Sequence, residues 1–309
     1  MKKIKIFEMP SLYREPLVIN AYRFGDGEKG AAIVGAMRGN EIQQLYICSQ
    51  LVKRLKEIEE KAGIRAGVAV EVIPCVNPYS LNIGKRFWAM DDTDINRMFP
   101  GYDQGETTQR IAAGLFNHLE GWKWGVHFAS FYIRGDFVPH VRMMRTDFGD
   151  PEAARDFGLP YVFIRRPLPI DTTTLNYNWQ IWDTRAYTLL TGETGNIDPA
   201  SAEVAVSAVL RFLMRRGLIE LDIDEGERSE VLTDAGLRIV HARSAGIFRR
   251  IASPGERLAK GELLGEILDP CEGRVLCELV AESDARVFFA CHDALVMQRQ
   301  ILFALRPDE

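Results

Sequence analysis

The sequence predicts an α/β fold built on a mixed, mostly parallel sheet, followed by a small all-β domain. In the first two thirds of the 309 residues, short apolar runs alternate with segments whose apolar residues recur at helical spacing. An acidic stretch at residues 220–227 is typical of a linker, and beyond it short β-like runs are broken by Gly and Pro. We therefore predict an α/β domain over residues 1–220 and a β domain over residues 231–309.

Each predicted element follows from its apolar pattern. Leu45, Leu55 and Ile58 belong to one helical stripe, and Ile111 and Leu115 belong to a second. A third helix is predicted over 199–216, because Pro stands at its start and Gly follows its end. The predicted strands are residues 17–24, 31–37, 68–76, 123–128, 161–164 and 186–190 in the α/β domain, and 237–242, 246–251, 263–267, 273–279, 285–290 and 300–304 in the β domain.

Composition excludes several classes of function. The net charge of −5 and the lack of a Lys/Arg-rich tract argue against nucleic-acid binding. No apolar run has the length that a membrane span requires. The five cysteines have no metal-ligand spacing and no apolar signal segment precedes them, so we expect reduced thiols in a cytoplasmic protein. The oligomeric state is not determined, although an exposed β domain could provide a homo-oligomer surface.

One stretch carries a specific resemblance. Residues 91–101 read Asp-Asp-Thr-Asp-Ile-Asn-Arg-Met-Phe-Pro-Gly. This resembles the Asp-x-Asn-Arg-x-Phe-Pro-Gly signature of the succinylglutamate desuccinylase/aspartoacylase family, a branch of the zinc-carboxypeptidase-like amidohydrolases. The resemblance implies a three-layer α/β fold of the zinc-carboxypeptidase/phosphorylase-hydrolase type and a barrel-sandwich-like C-terminal domain. It also implies a hydrolase that acts on a carbon–nitrogen (amide) bond.

The resemblance further implies a zinc site. Family members bind zinc through a His and a Glu three residues apart and through a distant His, and here Glu41 and His127 match two of these ligands. Arg38 replaces the first His, and Gly125 replaces an Asp near the distant His. A guanidinium has no lone pair to offer a metal. The alternatives are an ion pair between Arg38 and Glu41, and a hydrogen-bonded core histidine at position 127. The residues that could supply a missing ligand are His118, His140, Asp91, Asp92 and Asp94.

The substrate-binding and acid–base residues are likewise implied by the resemblance. Arg86, Asn96 and Arg97 match residues that hold carboxylates and the surroundings of the scissile amide, and Arg suits a carboxylate through its bidentate fork. Glu193 matches the family's general base/acid, which moves protons between water and the leaving amine. A surface ion pair for Arg86 and a loop or helix-terminal charge for Glu193 are the structural alternatives.

These residues lead to one main hypothesis and two rivals. The main hypothesis is a zinc-dependent deacylase that cleaves an amide of a small carboxylate-bearing substrate of the acyl-amino acid class. The first rival is a metal-free, non-catalytic protein that binds small carboxylates, and the second is a scaffold acting through the β domain. We expect Arg38 to reach the pocket of Glu41, His127 and Glu193, with its charge balanced by at least one glutamate, because an unpaired buried guanidinium is costly.

Overall fold

A nine-stranded mixed sheet forms the centre of the larger part of the molecule. The computed structural model describes residues 1–11 and 13–308. The strands of this sheet are β1 (Lys2–Met9), β2 (Leu17–Phe24), β3 (Gly27–Ala36), β4 (Gly67–Cys75), β5 (Trp124–Phe128), β7 (His140–Met144), β8 (Tyr161–Arg165), β9 (Arg185–Leu190) and β10 (Glu230–Thr233). Their order in the sheet is β1-β2-β4-β3-β5-β9-β7-β8-β10, and five of the eight neighbouring pairs are parallel.

Helices cover both faces of this sheet. Strand β3 shows why, because its side chains alternate between two cores: Ile33 packs with helices of one face, while Ala32 and Val34 pack with helices of the other. The helices are α1 (Ile42–Glu60), α2 (Pro78–Asn82), α3 (Thr107–Leu119), α4 (Pro151–Arg155), α5 (Leu175–Ile181) and α6 (Pro199–Arg215), with 3₁₀ turns at Ile95–Arg97, Pro169–Thr173 and Asp234–Gly236. Helices α1, α4 and α6 contribute to the first core, and α3 and α5 to the second.

The C-terminal part consists of two antiparallel sheets packed around one apolar core. The strands of this part are β11 (Arg238–His241), β12 (Gly246–Arg250), β13 (Arg257–Leu258), β14 (Leu263–Leu268), β15 (Val275–Val280), β16 (Ala285–Cys291), β17 (Leu295–Val296) and β18 (Ile301–Pro307). One sheet has the order β11-β18-β16-β13, with β6 (Gly135–Phe137) added to β16, and the other has the order β15-β14-β12-β17.

The mixed α/β sheet and the C-terminal antiparallel β region agree with the sequence prediction. The division at residues 220 and 231 stays a prediction about domains, but the strand pairing crosses it in two places. β10 pairs with β8 in the large sheet, and β6 leaves the α/β part to pair with β16. The acidic segment 220–227 is irregular as expected, yet it is fastened to α6, because the Arg211 guanidinium donates to the Asp224 carboxylate at 2.9 Å.

Two further structural facts bear on the chain's class. In the described part of the chain, no helix combines the length and the apolar character that crossing a bilayer requires. All five cysteines, each of them within the described residues, are free thiols.

Candidate active site

The loop between β3 and α1 positions the first candidate residues. Gly39 lies so close to α2 and the turn after it that an added Cβ would stand 2.3 Å from the carbonyl oxygen of Lys85 and from the carbonyl carbon of Ser80. Only glycine permits this approach. The tight loop turns Arg38 and Glu41 inward, where both side chains are buried. The spacing of three residues therefore brings the two charges together, as the ion-pair alternative expected.

Arg38 is held by two carboxylates. Its Nη1 donates to Glu41 Oε1 at 3.0 Å, and its Nη2 donates to Asp94 Oδ2 at 2.8 Å. Its Nη1 also lies 3.3 Å from Ser130 Oγ. Burial lowers the pKa of Arg38, but the charges of Glu41 and Asp94 outweigh burial and raise it overall. The predicted burial of Arg38 with a balancing glutamate is thus confirmed by the geometry.

Glu41 has no free oxygen. Oε2 accepts hydrogen bonds from the backbone N–H groups of Met37 (2.8 Å) and Arg38 (2.9 Å). Oε1 accepts from the Arg38 guanidinium and from the Ser130 hydroxyl. Burial alone would raise the pKa of Glu41, yet the Arg38 charge and these hydrogen bonds hold it below its usual range. Glu41 is therefore an ionised carboxylate with its lone pairs already used.

His127 lies at the end of β5, buried and neutral. Burial lowers its pKa to about 4, and the Arg38 charge acts in the same direction. Its Nε2 is buried without a hydrogen-bond partner among the described residues. Two residues earlier, an added Cβ at Gly125 would meet the Trp179 ring at 2.8 Å. The indole therefore occupies the space into which the family's Asp would project.

A cavity of about 410 Å³ opens beside these residues. Several buried polar atoms of its lining residues lack partners within the described structure, which is costly unless a ligand or water satisfies them. These atoms are His127 Nε2, Arg142 Nε, Thr188 Oγ1 and both amide atoms of Asn176. We call this space the cationic cavity, because its wall includes four guanidinium groups, those of Arg38, Arg97, Arg142 and Arg165.

Asn96 and Arg97 of the signature line the cationic cavity, and their role in ligand binding stays a prediction. They also hold the cavity wall together. Asn96 Oδ1 accepts the backbone N–H of Leu175 at 3.2 Å, and Arg97 Nη1 donates to the Ile170 carbonyl at 2.6 Å. Burial lowers the pKa of Arg97, and the neighbouring Arg38 charge lowers it further. The signature thus joins the 3₁₀ turn at Ile95–Arg97 to the segment before α5.

Arg86 and Glu193 lie elsewhere. Both line a separate small cavity of about 30 Å³, which shares only Ala129 and Phe131 with the cationic cavity. Glu193 Oε1 pairs with Arg134 Nη2 at 3.2 Å, and Arg86 Nη2 donates to the Phe131 carbonyl at 3.3 Å. The expectation that Arg38 and Glu193 share one pocket is therefore wrong, because Arg38 lines the cationic cavity and Glu193 lines the small one.

The sequence reasoning missed three charged residues of the cationic cavity, besides uncharged ones such as Asn176 and Thr188. Arg142 on β7 and Arg165 on β8 are neighbours across two parallel strands, and Asp171 follows from the 3₁₀ turn at Pro169–Thr173. Burial and the adjacent Arg165 charge lower the pKa of Arg142 to about 10. No local pattern marked these positions, because only the pairing of β7 with β8 brings the two arginines together. Asn77 caps α2, because its Oδ1 accepts a hydrogen bond from the backbone N–H of Ser80 at 3.2 Å.

The residues present do not fit a catalytic zinc ion. Such a site needs three donors and a position for water, but Glu41 is saturated and the guanidinium of Arg38 stands beside it. Within residues 1–11 and 13–308, no group of three His, Cys, Asp or Glu side chains is placed to hold a metal. The candidate replacement ligands are engaged elsewhere: Asp94 with Arg38, Asp92 with Lys85, the Asp91 carboxylate with the backbone of Thr93, His118 with Glu71, and His140 with the Val138 carbonyl.

Comparison with known proteins identifies the family. A model described as the succinylglutamate desuccinylase/aspartoacylase catalytic domain matches residues 28–215, well over half of the chain. The chain belongs to the succinylglutamate desuccinylase/aspartoacylase family. This confirms the resemblance inferred from the signature. The family and its curated relatives are deacylating hydrolases that act on amide bonds, so the expected hydrolase class is also confirmed.

Individual relatives of the family are distant in sequence. The N-alpha-acetyl-L-2,4-diaminobutyric acid deacetylase of Halomonas elongata is 22% identical over 269 residues, which cover 81% of this chain and 73% of that protein. A succinylglutamate desuccinylase from Silicibacter sp. TM1040 superposes with a TM-score of 0.83 at 17% identity, covering 100% of this chain and 95% of the other. The product-bound ectoine utilization protein EutE (DoeB) of Ruegeria pomeroyi gives 0.76 at 19% identity, covering 95% and 90%. These structural likenesses show the shared fold.

Proposed function

We propose that the protein is an amidohydrolase-type deacylase that takes a small N-acyl amino acid and binds it through a carboxylate. The observation that carries this proposal is the cationic cavity. It combines four arginines with uncharged polar atoms that have no partner among the described residues. A carboxylate matches the arginines, and an amide, with one donor and one acceptor, matches the unpaired atoms of Asn176 and Thr188.

In this proposal the residues of the cationic cavity bind and orient the substrate. Arg97 and Arg142 hold the carboxylate, and Asn96 fixes the wall against which the substrate rests. Arg38 supplies a permanent positive charge that polarises the acyl carbonyl. His127 is neutral at pH 7 and can accept a hydrogen bond or a proton at Nε2. We include the expected zinc in no step, because Glu41 has no free oxygen for it. A guanidinium cannot generate hydroxide as a metal does, so we propose slow turnover.

The second candidate function is a metal-free carboxylate-binding protein without turnover. Two features favour it: the closed pair of Arg38 with Glu41, and the placement of Glu193 with Arg134 outside the cationic cavity. If Glu193 acts as general base, its ion pair with Arg134 must open first, because Glu193 lines a different cavity.

One experiment separates the two candidates. Purified protein is assayed for release of free amine from a panel of small N-acetyl and N-succinyl amino acids, and binding is measured in parallel by calorimetry. Zinc content is determined for the wild type and for the Arg38→His variant. Turnover by the wild type supports the deacylase. Carboxylate binding without turnover, together with zinc and activity only in Arg38→His, supports the binding protein.

Three finer assignments accompany the proposal. We infer that the α/β part is of the zinc-carboxypeptidase/phosphorylase-hydrolase type, supported by helices on both sheet faces. We infer a barrel-sandwich-like C-terminal domain, supported by its two antiparallel sheets around one core. The free thiols support a reducing, cytoplasmic location.

A further inference from the structure

A second cavity of about 190 Å³ lies where the α/β part meets the C-terminal sheets. Aromatic residues are the largest group among its lining residues, so we call it the aromatic compartment; its rings include Phe137, His140, Phe163, Phe288 and Phe289. They pack edge-to-face or tilted against one another, with centroids 4.6 Å apart for Phe137 and Phe289 and 4.8 Å apart for His140 and Phe288. Such a lining favours a flat apolar group.

The histidine in the wall of the aromatic compartment carries no charge. His140 is buried, and its Nδ1 bonds to the Val138 carbonyl at 2.9 Å. Burial also lowers the pKa of His140 to about 3, so the ring is neutral at physiological pH. The compartment's one carboxylate among the described residues, that of Asp234, already accepts the backbone N–H of Arg166 at 2.9 Å.

The aromatic compartment and the cationic cavity share a wall. Phe131, Tyr132, Arg142 and Arg165 line both spaces. Arg165 lies 3.6 Å from Asp171, whereas Arg142 keeps an unpaired, buried Nε within the described structure. A guanidinium at this junction can bind an anion on one side and face an aromatic ring on the other. One ligand that carries both an anionic group and an apolar group can therefore occupy both cavities.

The volume sets the size of the apolar group. An apolar cavity of roughly 150 Å³ is large enough to bind benzene, so a space of about 190 Å³ has room for one phenyl group. We propose that the aromatic compartment is a specificity subsite that receives the aromatic side chain of an N-acyl amino acid whose carboxylate is held by Arg142 and Arg97. This inference rests on the proposed function for the orientation of the substrate, and it narrows the substrate class to aromatic N-acyl amino acids.

The test compares two ligands that differ only in the aromatic group. Binding of N-acetylphenylalanine and N-acetylalanine to the full-length protein is measured by calorimetry. We expect N-acetylphenylalanine to bind about 30-fold more tightly, the ratio that corresponds to burial of a Phe side chain. Equal affinities, or tighter binding of N-acetylalanine, would overturn the proposal.

A pair of matched variants locates the effect. Leu237 lines the aromatic compartment and is partly exposed, so Leu237→Trp adds volume there without opening a buried core. Val231→Trp makes a comparable change on the exposed side of β10, outside the cavities described above. The preference for N-acetylphenylalanine should fall at least about tenfold in Leu237→Trp and persist in Val231→Trp. Loss in both variants, or in neither, contradicts the assignment of the subsite.

The outcomes also separate this inference from the proposed deacylase function. Selective binding of N-acetylphenylalanine without amine release supports the subsite and contradicts the deacylase. Amine release at equal efficiency from both ligands supports the deacylase and contradicts the subsite. N-acetylcyclohexylalanine, which has the same carbon skeleton without aromaticity, serves as a third ligand. Affinity equal to that of N-acetylphenylalanine would contradict an aromatic preference and replace it with a general apolar one.

Discussion

Two buried glutamates, Glu41 and Glu71, each form ion pairs, but the surroundings of the two ion pairs differ. The Glu41 cluster comprises Arg38, Glu41, Asp94 and Ser130, and it forms part of the wall of the cationic cavity. The Glu71 cluster comprises Arg23, Glu71 and His118, and it joins β2, β4 and α3 on the other side of β3. In both clusters burial alone would raise the carboxyl pKa, and in both the partners lower it below the usual value.

The difference between the clusters lies in what surrounds them. Arg23 and His118 both bind the Glu71 carboxylate. None of these three residues lines one of the cavities described above. Beside Glu41, the cavity wall carries polar atoms of His127, Asn176 and Thr188 that find no partner in the described structure. A buried ion pair therefore occurs in this fold without a binding site beside it, and does not by itself indicate one. The unpaired neighbours, and not the pair itself, indicate the binding site.

The largest expected effect is the loss of stability in Arg38→Ala. It would leave the Glu41 carboxylate buried without a counter-ion, which costs roughly 3–5 kcal/mol of unfolding free energy. In Arg23→Ala, Glu71 keeps His118 and the removed side chain is partly exposed, so about 1 kcal/mol is expected. Urea denaturation at pH 7 measures both values.

The double variant Arg38→Met/Glu41→Gln serves as the control for Arg38→Ala. It removes both charges, and it should therefore recover part of the lost stability. A cost for Arg38→Ala no greater than that for Arg23→Ala would erase the distinction drawn between the two clusters.

The next largest expected effect is a pH dependence of stability that arises from His140, which lines the aromatic compartment. The pKa of His140 is lowered to about 3 in the folded protein, against about 6.5 in the unfolded chain. Below pH 6.5 His140 is therefore protonated in the unfolded state but not in the folded state, so the unfolding free energy falls as the pH decreases. From pH 6 to pH 4 the loss is roughly 2.5 kcal/mol, because a full proton difference corresponds to about 1.4 kcal/mol per pH unit and the difference is slightly less than one proton near pH 6.

Thermal denaturation of His140→Phe tests this pH dependence. Its unfolding free energy should vary less steeply with pH than that of the wild type. Phe163→Leu perturbs the same aromatic compartment without removing a titrating group, so it should keep the wild-type slope. Parallel slopes for His140→Phe and the wild type would exclude His140 as the source.

A smaller effect concerns ligand affinity. Arg97→Ala removes a guanidinium from the cationic cavity, so the affinity for an N-acyl amino acid should fall about tenfold, the typical loss for a hydrogen bond to a charged group. Arg23→Ala removes an equal charge in the Glu71 cluster and should leave affinity unchanged. Calorimetry measures the ligand affinity of both variants. Equal losses of affinity would mean that the net charge of the protein, and not the cationic cavity, causes the effect.

The smallest expected change is in Arg134→Ala. Its ion pair with Glu193 is 3.2 Å long, and the arginine side chain is 65% exposed, so its removal should cost less than about 0.5 kcal/mol of stability. If Glu193 transfers protons during deacylation, the same variant should change the pH profile of amine release. A stability loss above about 2 kcal/mol would mean that the pair holds the loop in place.

Much of the fold was readable from the sequence because its helices and most strands carry clear periodicity. Strand β2 has the predicted limits, and α1, α3 and α6 lie where apolar stripes were found. Strand β1 was missed although Lys3-Ile4-Lys5-Ile6 alternates as a strand does. The other missed strands, β6, β7, β10, β13 and β17, are short and lack such patterns. β7, for example, places Arg142 within a buried strand, and β10 is defined by its parallel pairing with β8. For these strands the partner, not the local sequence, determines the conformation.

The sequence by itself determined the family, through the stretch around Asn96 and Arg97, and it determined that position 38 carries a charge that cannot coordinate a metal. It also set the local pairing of Arg38 with Glu41, since they stand three positions apart. The tertiary structure decided which residues share a cavity. It places Arg86 and Glu193 outside the cationic cavity and Arg142 and Arg165 in its wall. It also forms the aromatic compartment from strands of the α/β part and of the C-terminal part. The reason is physical: spacing along the chain fixes neighbours within a turn, whereas contacts between distant strands depend on the packing of the whole sheet.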